Sequence, residues 1–424
     1  MINQAVIIAG GKGKRLKKIT GNNPKILVPL KNETLLEFQI NYLKKNKIEK
    51  IHFCLGEGSS EILKKLENLK IEFTYSTEDQ PLGTYGALQN AKKYLMSEFF
   101  VLFGDILLEY DIQFGYSNFK KFQSDIHLIS RYTEHPIDSD IVQIDDEFNV
   151  LSLKRHDQLD FPYEPIGNTG LFFCKKNIVN KNKEKKDFFK EFLVENIHSL
   201  KVTSEITTSY IRDIGTVERF ESEVKRFDKI RDSEEKYVFL DRDGTLINDR
   251  GNDNNISKFK FKTGAINLIK FLQSENYKLI LISNQPGVAK GFFNIEKVKK
   301  FNSHLQHILI NNNLKPLDGI YFCPHHPEKG FVNEVKELKI NCLCRKPNIG
   351  LVKKATEELN IKNQRFYFIG DTESDYLLAK KFKSKIFIVK SKNTEKSLLN
   401  NQEIKIYNNL NEIVNEFKKN FYNF

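Results

Sequence analysis

Two short apolar runs that stop on glycine or aspartate and enter a turn each stand at the head of a series: AVIIAGG at 5–11 and YVFLDRDG at 237–244. Each run is the length of a buried strand and is followed by segments with helical spacing. Each therefore opens a β-α series, which builds a parallel sheet and places ligands at the strand ends. The first series continues through a helix over Thr34–Leu43, KIHFCLG (50–56), a helix near 60–69, IEFTYS (71–76), a helix near 84–95 and FFVLFGD (99–105). Leu36, Ile40 and Leu43 recur at i, i+4, i+7, so the first helix has one apolar face for a sheet. The second series runs through a helix at 264–275, KLILISN (278–284), a helix at 294–312, GIYFCP (319–324), a helix at 350–359, RFYFIGD (365–371), a helix near 373–382 and KIFIVK (385–390).

Between them, residues 116–225 are less regular. Extended segments are expected near 126–131, 141–153 and 169–174, then a Lys-rich loop at 175–186 and a helix after Thr216. The stretch FESEVKRFDKIRDSEEK (220–236) is charged, lacks an apolar strand and reads as a helix leading into a linker. A boundary near 233 divides the chain into two domains, 1–232 and 233–424, which suits its 424 residues.

The net charge of +12 favours anionic partners. Yet 56 of the 67 basic residues are lysine, and arginine is the residue suited to bidentate phosphate and base recognition. The excess reads as compositional bias, and no nucleic-acid partner is expected. No apolar run approaches the length of about 18 residues that a membrane helix needs, and the run at 5–9 has no basic region before it. A soluble, cytoplasmic protein is expected, without a membrane partner. Five cysteines, three of them clustered at 323–344, argue for metal rather than a disulfide framework.

Gly10, Gly11 and Gly13 follow the first strand directly, where backbone N–H groups can turn onto a phosphate chain; Lys12, Lys14 and Arg15 add positive charge. The spacing is neither a dinucleotide fingerprint, since Leu16 stands where a third glycine is needed, nor a P-loop. Pro24-Lys25, PLGTYGAL (81–88), Gly104-Asp105 and IRDIGT (211–216) follow. A lysine and two carboxylates, Asp105 and Asp213, are what nucleotidyl transfer with Mg²⁺ requires.

In order and approximate spacing these segments resemble the sugar-phosphate nucleotidyltransferases over about residues 1–225. The resemblance implies that Gly10, Gly11, Gly13 and Arg15 hold nucleotide phosphates, Lys25 assists at the α-phosphate, and Asp105 and Asp213 bind Mg²⁺. Glu78 and Gly83 match positions near the base and sugar. Three departures concern the sugar pocket: Lys14 for a usual threonine, Tyr85 for a small residue, and Lys154-Arg155 for a Glu-Lys pair.

DRDGT (241–245) puts Asp241 and Asp243 two residues apart at a strand's C-terminal end. One carboxylate can attack phosphorus while the other handles the proton of the leaving oxygen. Ser283, Lys346 and Asp371 follow at later strand ends or loops, with Asp375 beyond. This half resembles the haloacid dehalogenase-type phosphatases over about 236–420. The resemblance implies Asp241 as nucleophile, Asp243 as general acid/base, Ser283 and Lys346 as phosphate holders, and Mg²⁺ on Asp241, Asp371 and the Asp243 carbonyl. Asp375 supports the metal shell, and Arg242, Asn284, Lys290 and Arg345 are expected substrate contacts.

Cys323-Pro-His325 and Cys342-Leu-Cys344 form two hooks that supply three thiolates and one imidazole, a closed set for structural Zn²⁺. His326 is an alternative to His325, which the alternating hook geometry favours. Such a loop narrows the resemblance to a capless subgroup containing heptose bisphosphate 7-phosphatases and histidinol-phosphate phosphatases. FLDRDG, SNQPGVAKGFF and C-x-HHP…C-x-CRKP look most like the heptose enzymes, with Lys290 for a frequent arginine and Ile349 for a frequent proline.

The expected fold class is thus α/β: two Rossmann-like three-layer α/β/α domains, a nucleotidyltransferase fold and then a capless phosphatase fold with a zinc loop. The fusion resembles the D-glycero-D-manno-heptose branch of nucleotide-sugar synthesis for surface glycans, and implies a bifunctional enzyme using GTP. A histidinol-phosphate phosphatase joined to another sugar transferase shares no intermediate. A regulatory nucleic-acid-binding protein would show arginine clusters or lost carboxylates, which this sequence does not.

Overall fold

The strand after the linker shows why the second half folds as it does. In the computed structural model, which describes residues 1–11, 16–21, 23–180, 186–231, 235–249, 251, 256–362, 366–401 and 404–421, that strand sends alternate side chains to opposite sides. Val238 and Leu240 enter one apolar cluster, with Leu268, Leu272, Leu279 and Leu281. Tyr237 and Phe239 enter another, with Ile280, Ile282, Val352 and Phe368. A strand covered on both faces reads as a continuous apolar run, which is what the sequence contains.

The contacts divide the chain into two units. One comprises Met1–Arg131, Ile137–Asp157 and Ile166–Ser233; the other comprises Glu234–Phe424 together with the short segments Tyr132–Pro136 and Gln158–Pro165.

In the first unit the strands are β1 (Gln4–Ala9), β2 (Lys50–Leu55), β3 (Phe73–Thr77), β4 (Glu98–Phe103), β5 (Ile106–Glu109), β6 (Ile126–Tyr132), β7 (Ile141–Ile144), β8 (Val150–Lys154), β9 (Ile166–Lys175), β10 (Val202–Ile206) and β11 (Tyr210–Asp213). A nine-stranded sheet has the order β10-β6-β9-β4-β1-β2-β3, with β7 beside β9 and β8 beside β7. β1 runs parallel to both β2 and β4, whereas β9 runs antiparallel to β4, so the sheet is mixed. The extended stretch expected at 141–153 is an antiparallel pair, β7 with β8.

The helix Leu35–Lys45 starts at a capping box in which Thr34 and Glu37 satisfy each other's amides. Its Leu36, Ile40 and Leu43 are buried as the spacing predicts. β5 and β11 form a separate two-stranded antiparallel sheet.

In the second unit β12 (Lys236–Leu240), β13 (Tyr277–Asn284), β14 (Gly319–Cys323), β15 (Phe366–Gly370), β16 (Lys385–Val389) and β17 (Ile406–Tyr407) form a six-stranded sheet of order β14-β13-β12-β15-β16-β17. All five pairings are parallel. The chain leaves β12 in one direction for β13 and returns to its other side for β15. The ends of β12, β13 and β15 therefore meet at the switch point where ligands bind in such sheets. No described helix is long and apolar enough to cross a membrane.

Candidate active sites

In the first unit, the turn after β4 carries Asp105, and the small β5–β11 sheet brings Asp213 to it. Ile106 pairs with Asp213, and the Ile214 N–H donates to the Asp105 carbonyl at 2.9 Å. Two residues 108 positions apart in the sequence are thus joined through one turn. The turn is held from below by the buried Gln39, whose Nε2 donates to the carbonyls of Phe103 and Ile106 at 3.0 and 2.9 Å.

Each carboxylate has a cation. Lys25 donates to Asp105 Oδ2, and Arg219 grips both oxygens of Asp213 at 2.7 and 2.8 Å. Burial alone would raise the Asp213 carboxyl, but the guanidinium and the Gly215 amide hold it below the usual range. Lys25, Gly11, Thr84, Gly104 and Asp105 line a cleft of about 410 Å³.

Gly10 lies where β1 meets Glu78; a Cβ there would stand 2.7 Å from Glu78 Oε1. Burial raises the Glu78 carboxyl, whose other oxygen accepts from the Leu82 amide at 3.1 Å. Gly83 begins the helix Gly83–Asn90, and the next amides, of Tyr85 and Gly86, already donate to the Lys186 carbonyl. Tyr85, a departure from the family pattern, is wholly buried. It stacks on Phe192 at 4.1 Å and donates to the Ile178 carbonyl at 2.8 Å. Its bulk fills core rather than cleft. The expected phosphate contacts Gly13 and Arg15, with Lys12 and Lys14, lie outside the described residues.

In the second unit the expected residues converge. Lys346 Nζ donates to Asp241 Oδ1 at 2.5 Å, to Asp375 Oδ1 at 2.7 Å and to the Ile282 carbonyl. Burial opposes its charge, but the two carboxylates more than offset this and keep the ammonium protonated. Burial pushes Asp241 well above the ordinary carboxylate range, and Asp371, next to Asp375, up to about 6. Thr245 and Ser391 donate to the two oxygens of Asp371 at 2.9 and 2.6 Å.

Gly244 has φ +85°, and a Cβ there would fall 2.1 Å from Asp371 Oδ2, so only glycine lets the DRDGT turn close over that carboxylate. Lys262 fixes the turn from outside by donating to the Gly244 and Lys390 carbonyls. Asp375 completes a capping box with Thr372 and aims its other oxygen at Lys346.

Asp241, Asp371 and Asp375 offer oxygens within 4.8 Å of one another. Three carboxylates against one ammonium leave a formal −3 + 1 = −2, an imbalance that fits a divalent cation with oxygen ligands.

Cys323, His325, Cys342 and Cys344 form a second ligand set. The Sγ atoms are 3.3–3.5 Å apart, and His325 Nδ1 lies 3.2 Å from Cys344 Sγ and 3.6 Å from Cys323 Sγ. A tetrahedral ion with bonds of about 2.3 Å to sulfur needs separations of roughly 3.8 Å, so the four groups fit one after small adjustments. The hydrogen bond from Cys323 pulls Cys344 down to about 5. His325 rather than His326 completes the set.

Two expected substrate contacts are engaged elsewhere. Asn284 clamps the Lys346 backbone, accepting from its N–H at 2.9 Å and donating to its carbonyl at 3.1 Å. Arg242 is 1% exposed and donates to protein acceptors.

Lys290 and Arg345 belong instead to a cationic group the sequence did not reveal. Lys290 and Lys339 stand over the Phe331 ring at 4.7 and 4.6 Å. Lys339 Nζ is buried without a hydrogen-bond partner, with a Glu334 oxygen 3.7 Å away. Burial, then Lys290 and Arg345, lower the adjacent His326. A lysine in a loop carries no periodic signal, so nothing in the sequence marked Lys339.

Comparison with known proteins matches a nucleotidyl transferase family model to residues 4–229 and a polynucleotide kinase 3 phosphatase model to residues 236–398. A D-glycero-beta-D-manno-heptose-1,7-bisphosphate 7-phosphatase of Haemophilus ducreyi is 39% identical over 145 residues, 34% of this chain and 76% of the relative. A D-glycero-alpha-D-manno-heptose 1-phosphate guanylyltransferase of Campylobacter jejuni is 33% identical over 221 residues, 51% of this chain and 96% of the relative. The crystal structure of HddC from Yersinia pseudotuberculosis shares 27% identity, covering 53% of this chain and all of that one at a TM-score of 0.45.

Proposed function

Because the chain belongs to the nucleotidyl transferase family and also to the phosphatase family of its heptose-bisphosphate relatives, we propose that it carries out two consecutive steps of nucleotide-heptose synthesis. The domain at 233–424 removes the 7-phosphate of D-glycero-D-manno-heptose 1,7-bisphosphate. The domain at 1–232 joins the resulting 1-phosphate to GTP, giving GDP-D-glycero-α-D-manno-heptose and pyrophosphate in a cytoplasmic setting. The observation that carries this reading is the junction of Asp241, Lys346 and Asp375, built at the switch point of the second sheet.

In the phosphatase step Asp241 attacks phosphorus, and Lys346 and the Ser283 hydroxyl hold phosphoryl oxygens. Asp243 protonates the leaving sugar oxygen, then takes a proton from the water that hydrolyses the aspartyl-phosphate. Asp241, Asp371 and the Asp243 carbonyl are the groups that hold Mg²⁺, whose role when bound is to neutralise phosphoryl charge. In the transferase Asp105 and Asp213 are the residues that would hold Mg²⁺, which when bound would neutralise triphosphate charge. Lys25, beside Asp105, is placed for the α-phosphate. The sugar phosphate attacks that phosphorus in line, with Gly10, Gly11, Gly13 and Arg15 at the nucleotide phosphates and Glu78 and Gly83 at the base and sugar. Zn²⁺ on Cys323, His325, Cys342 and Cys344 is structural, since no ligand position remains open.

The two relatives' names specify opposite anomers. Removal of the 7-phosphate does not touch the anomeric carbon, so consecutive action requires the phosphatase to accept the α-anomer.

Incubation with each anomer of heptose 1,7-bisphosphate, GTP and Mg²⁺ is expected to give phosphate, pyrophosphate and the nucleotide sugar from the α form. Absence of phosphate release from both forms refutes the phosphatase assignment. Substituting ATP, CTP or UTP tests the nucleotide.

Lys290, partly exposed beside Phe331, is the cation of this group that is open to a second phosphate. Lys290→Met is expected to raise KM for the bisphosphate about tenfold while changing kcat little, because a charge-assisted contact is worth roughly 1.5–3 kcal/mol. An unchanged KM removes Lys290 from substrate binding.

A further inference from the structure

Arg242 sits between the two carboxylates of the DRDGT turn, yet its guanidinium turns into the protein. It lies over the Phe301 ring at 4.6 Å and donates from NH1 to Asn302 Oδ1 at 2.9 Å; both residues belong to the helix Ile295–Asn311. NH2 donates to Gln285 Oε1 at 2.8 Å, and Nε donates to Asp243 Oδ2 at 2.9 Å.

A guanidinium has no acceptor, so the Gln285 amide must face it with oxygen. Its Nε2 then has two hydrogens, and two acceptors stand in reach: Asp243 Oδ2 at 2.7 Å and Ser283 Oγ at 2.7 Å. Gln285 is 4% exposed and Ser283 1%, so solvent does not supply substitutes for these bonds.

Asp243 Oδ2 thus receives donors from both Arg242 and Gln285, whereas no hydrogen bond reaches its Oδ1 among the described residues. An oxygen that already accepts two N–H groups is a poor site for a proton, so a protonated Asp243 carries it on Oδ1.

We infer that Arg242 and Gln285 are positioning residues that orient the Asp243 carboxyl, fixing Oδ2 as the held oxygen and Oδ1 as the one that exchanges the proton. The inference rests on the reading of Asp243 as general acid and base. As the bond between phosphorus and the sugar oxygen breaks, its electron pair stays on the sugar oxygen, which takes the Oδ1 proton while Asp241 bonds to phosphorus. In the second half a water bonds to phosphorus and returns a proton to Oδ1, and the Asp241–phosphorus bond breaks. Because Gln285 also holds Ser283, the same amide aligns the proton donor with a phosphoryl-oxygen ligand.

The test compares an alkyl phosphate, the heptose bisphosphate, with 2,4-dinitrophenyl phosphate, whose leaving group needs no proton. Rapid-quench measurement of phosphoenzyme formation is made on the full chain carrying Asp243→Asn, Arg242→Lys, Arg242→Met or Gln285→Met. General acid catalysis contributes on the order of 100-fold or more. Asp243→Asn and Arg242→Met are each expected to lose about that factor with the sugar ester and less than about threefold in the dinitrophenolate burst, whereas Gln285→Met, which also releases Ser283, is expected to slow both esters and the sugar ester about tenfold more. Arg242→Lys recovers part of the loss.

If Asp243→Asn slows both esters equally, the general-acid reading of Asp243 fails. If Asp243→Asn separates the esters but Gln285→Met and Arg242→Met do not, the positioning inference fails while that reading survives. Should Arg242→Met not fold, Gln285→Met decides the matter alone.

Discussion

Asp241→Asn is expected to abolish phosphate release from heptose 1,7-bisphosphate, by a factor on the order of 10³ or more, while nucleotidyl transfer from supplied heptose 1-phosphate continues. The amide is nearly isosteric but cannot form an aspartyl-phosphate. The variant should nevertheless fold. Asp241 is one of three clustered buried carboxylates, and burial already disfavours its charge, so neutralising it relieves repulsion from Asp371 and Asp375. The loss of one partner for Lys346 acts in the opposite direction, and Asp375 still holds that ammonium at 2.7 Å. Asp105→Ala should give the reverse pattern, ending pyrophosphate release while sparing phosphate release. Parallel assays of the two products on both variants check this; a single substitution that stops both reactions contradicts independent sites.

Cys342→Ser is expected to lower bound zinc from about one per chain to near zero, to destabilise the second unit and to end phosphatase activity while leaving the transferase active. Cys323 ends β14 inside the core, and Cys342 and Cys344 pack against the same cluster. A zinc ion held there would tie an otherwise irregular loop to the sheet. Structural zinc is worth about 10–16 kcal/mol in small zinc-finger peptides; here β14 is already paired with β13, so only part of that sum applies. Activity falls because Arg345 and Lys346 follow Cys344 directly, and Lys346 is the buried cation on Asp241. Metal analysis, thermal unfolding and both assays test this. Active, native protein without zinc overturns the assignment.

The candidate phosphatase site was legible as a cluster because its residues stand at the ends of apolar runs, and a parallel sheet gathers such ends on one side. Asp241, Ser283 and Asp371 needed no knowledge of long-range pairing beyond the order of strands. The cysteine hooks were legible for a similar reason, since their chemistry is carried by local spacing.

The transferase site depends on what spacing does not encode. Its β5–β11 sheet is two short strands about a hundred residues apart, and neither has the periodicity of a core strand. Nor does sequence show that Arg219 holds Asp213, that the Lys186 carbonyl occupies amides after Gly83, or that Arg242 faces inward. Each depends on which way a side chain or carbonyl turns at a crossing of distant segments. The antiparallel pair at 141–153 and the π-helical turn at Phe188–Leu193 escaped for lack of a turn signal and of a distinct period, respectively.

The bond from the Ile214 amide to the Asp105 carbonyl bears on synthesis of the chain. The first candidate pocket is finished by β11, the last strand of its own unit, so Asp105 waits for the 108 residues that separate it from Asp213 to be translated. Once that segment leaves the ribosome, the transferase can close before the phosphatase strands are made. The strands of the first sheet are thus made before those of the second, while Tyr132–Pro136 and Gln158–Pro165, which group with the second unit, are completed only with it.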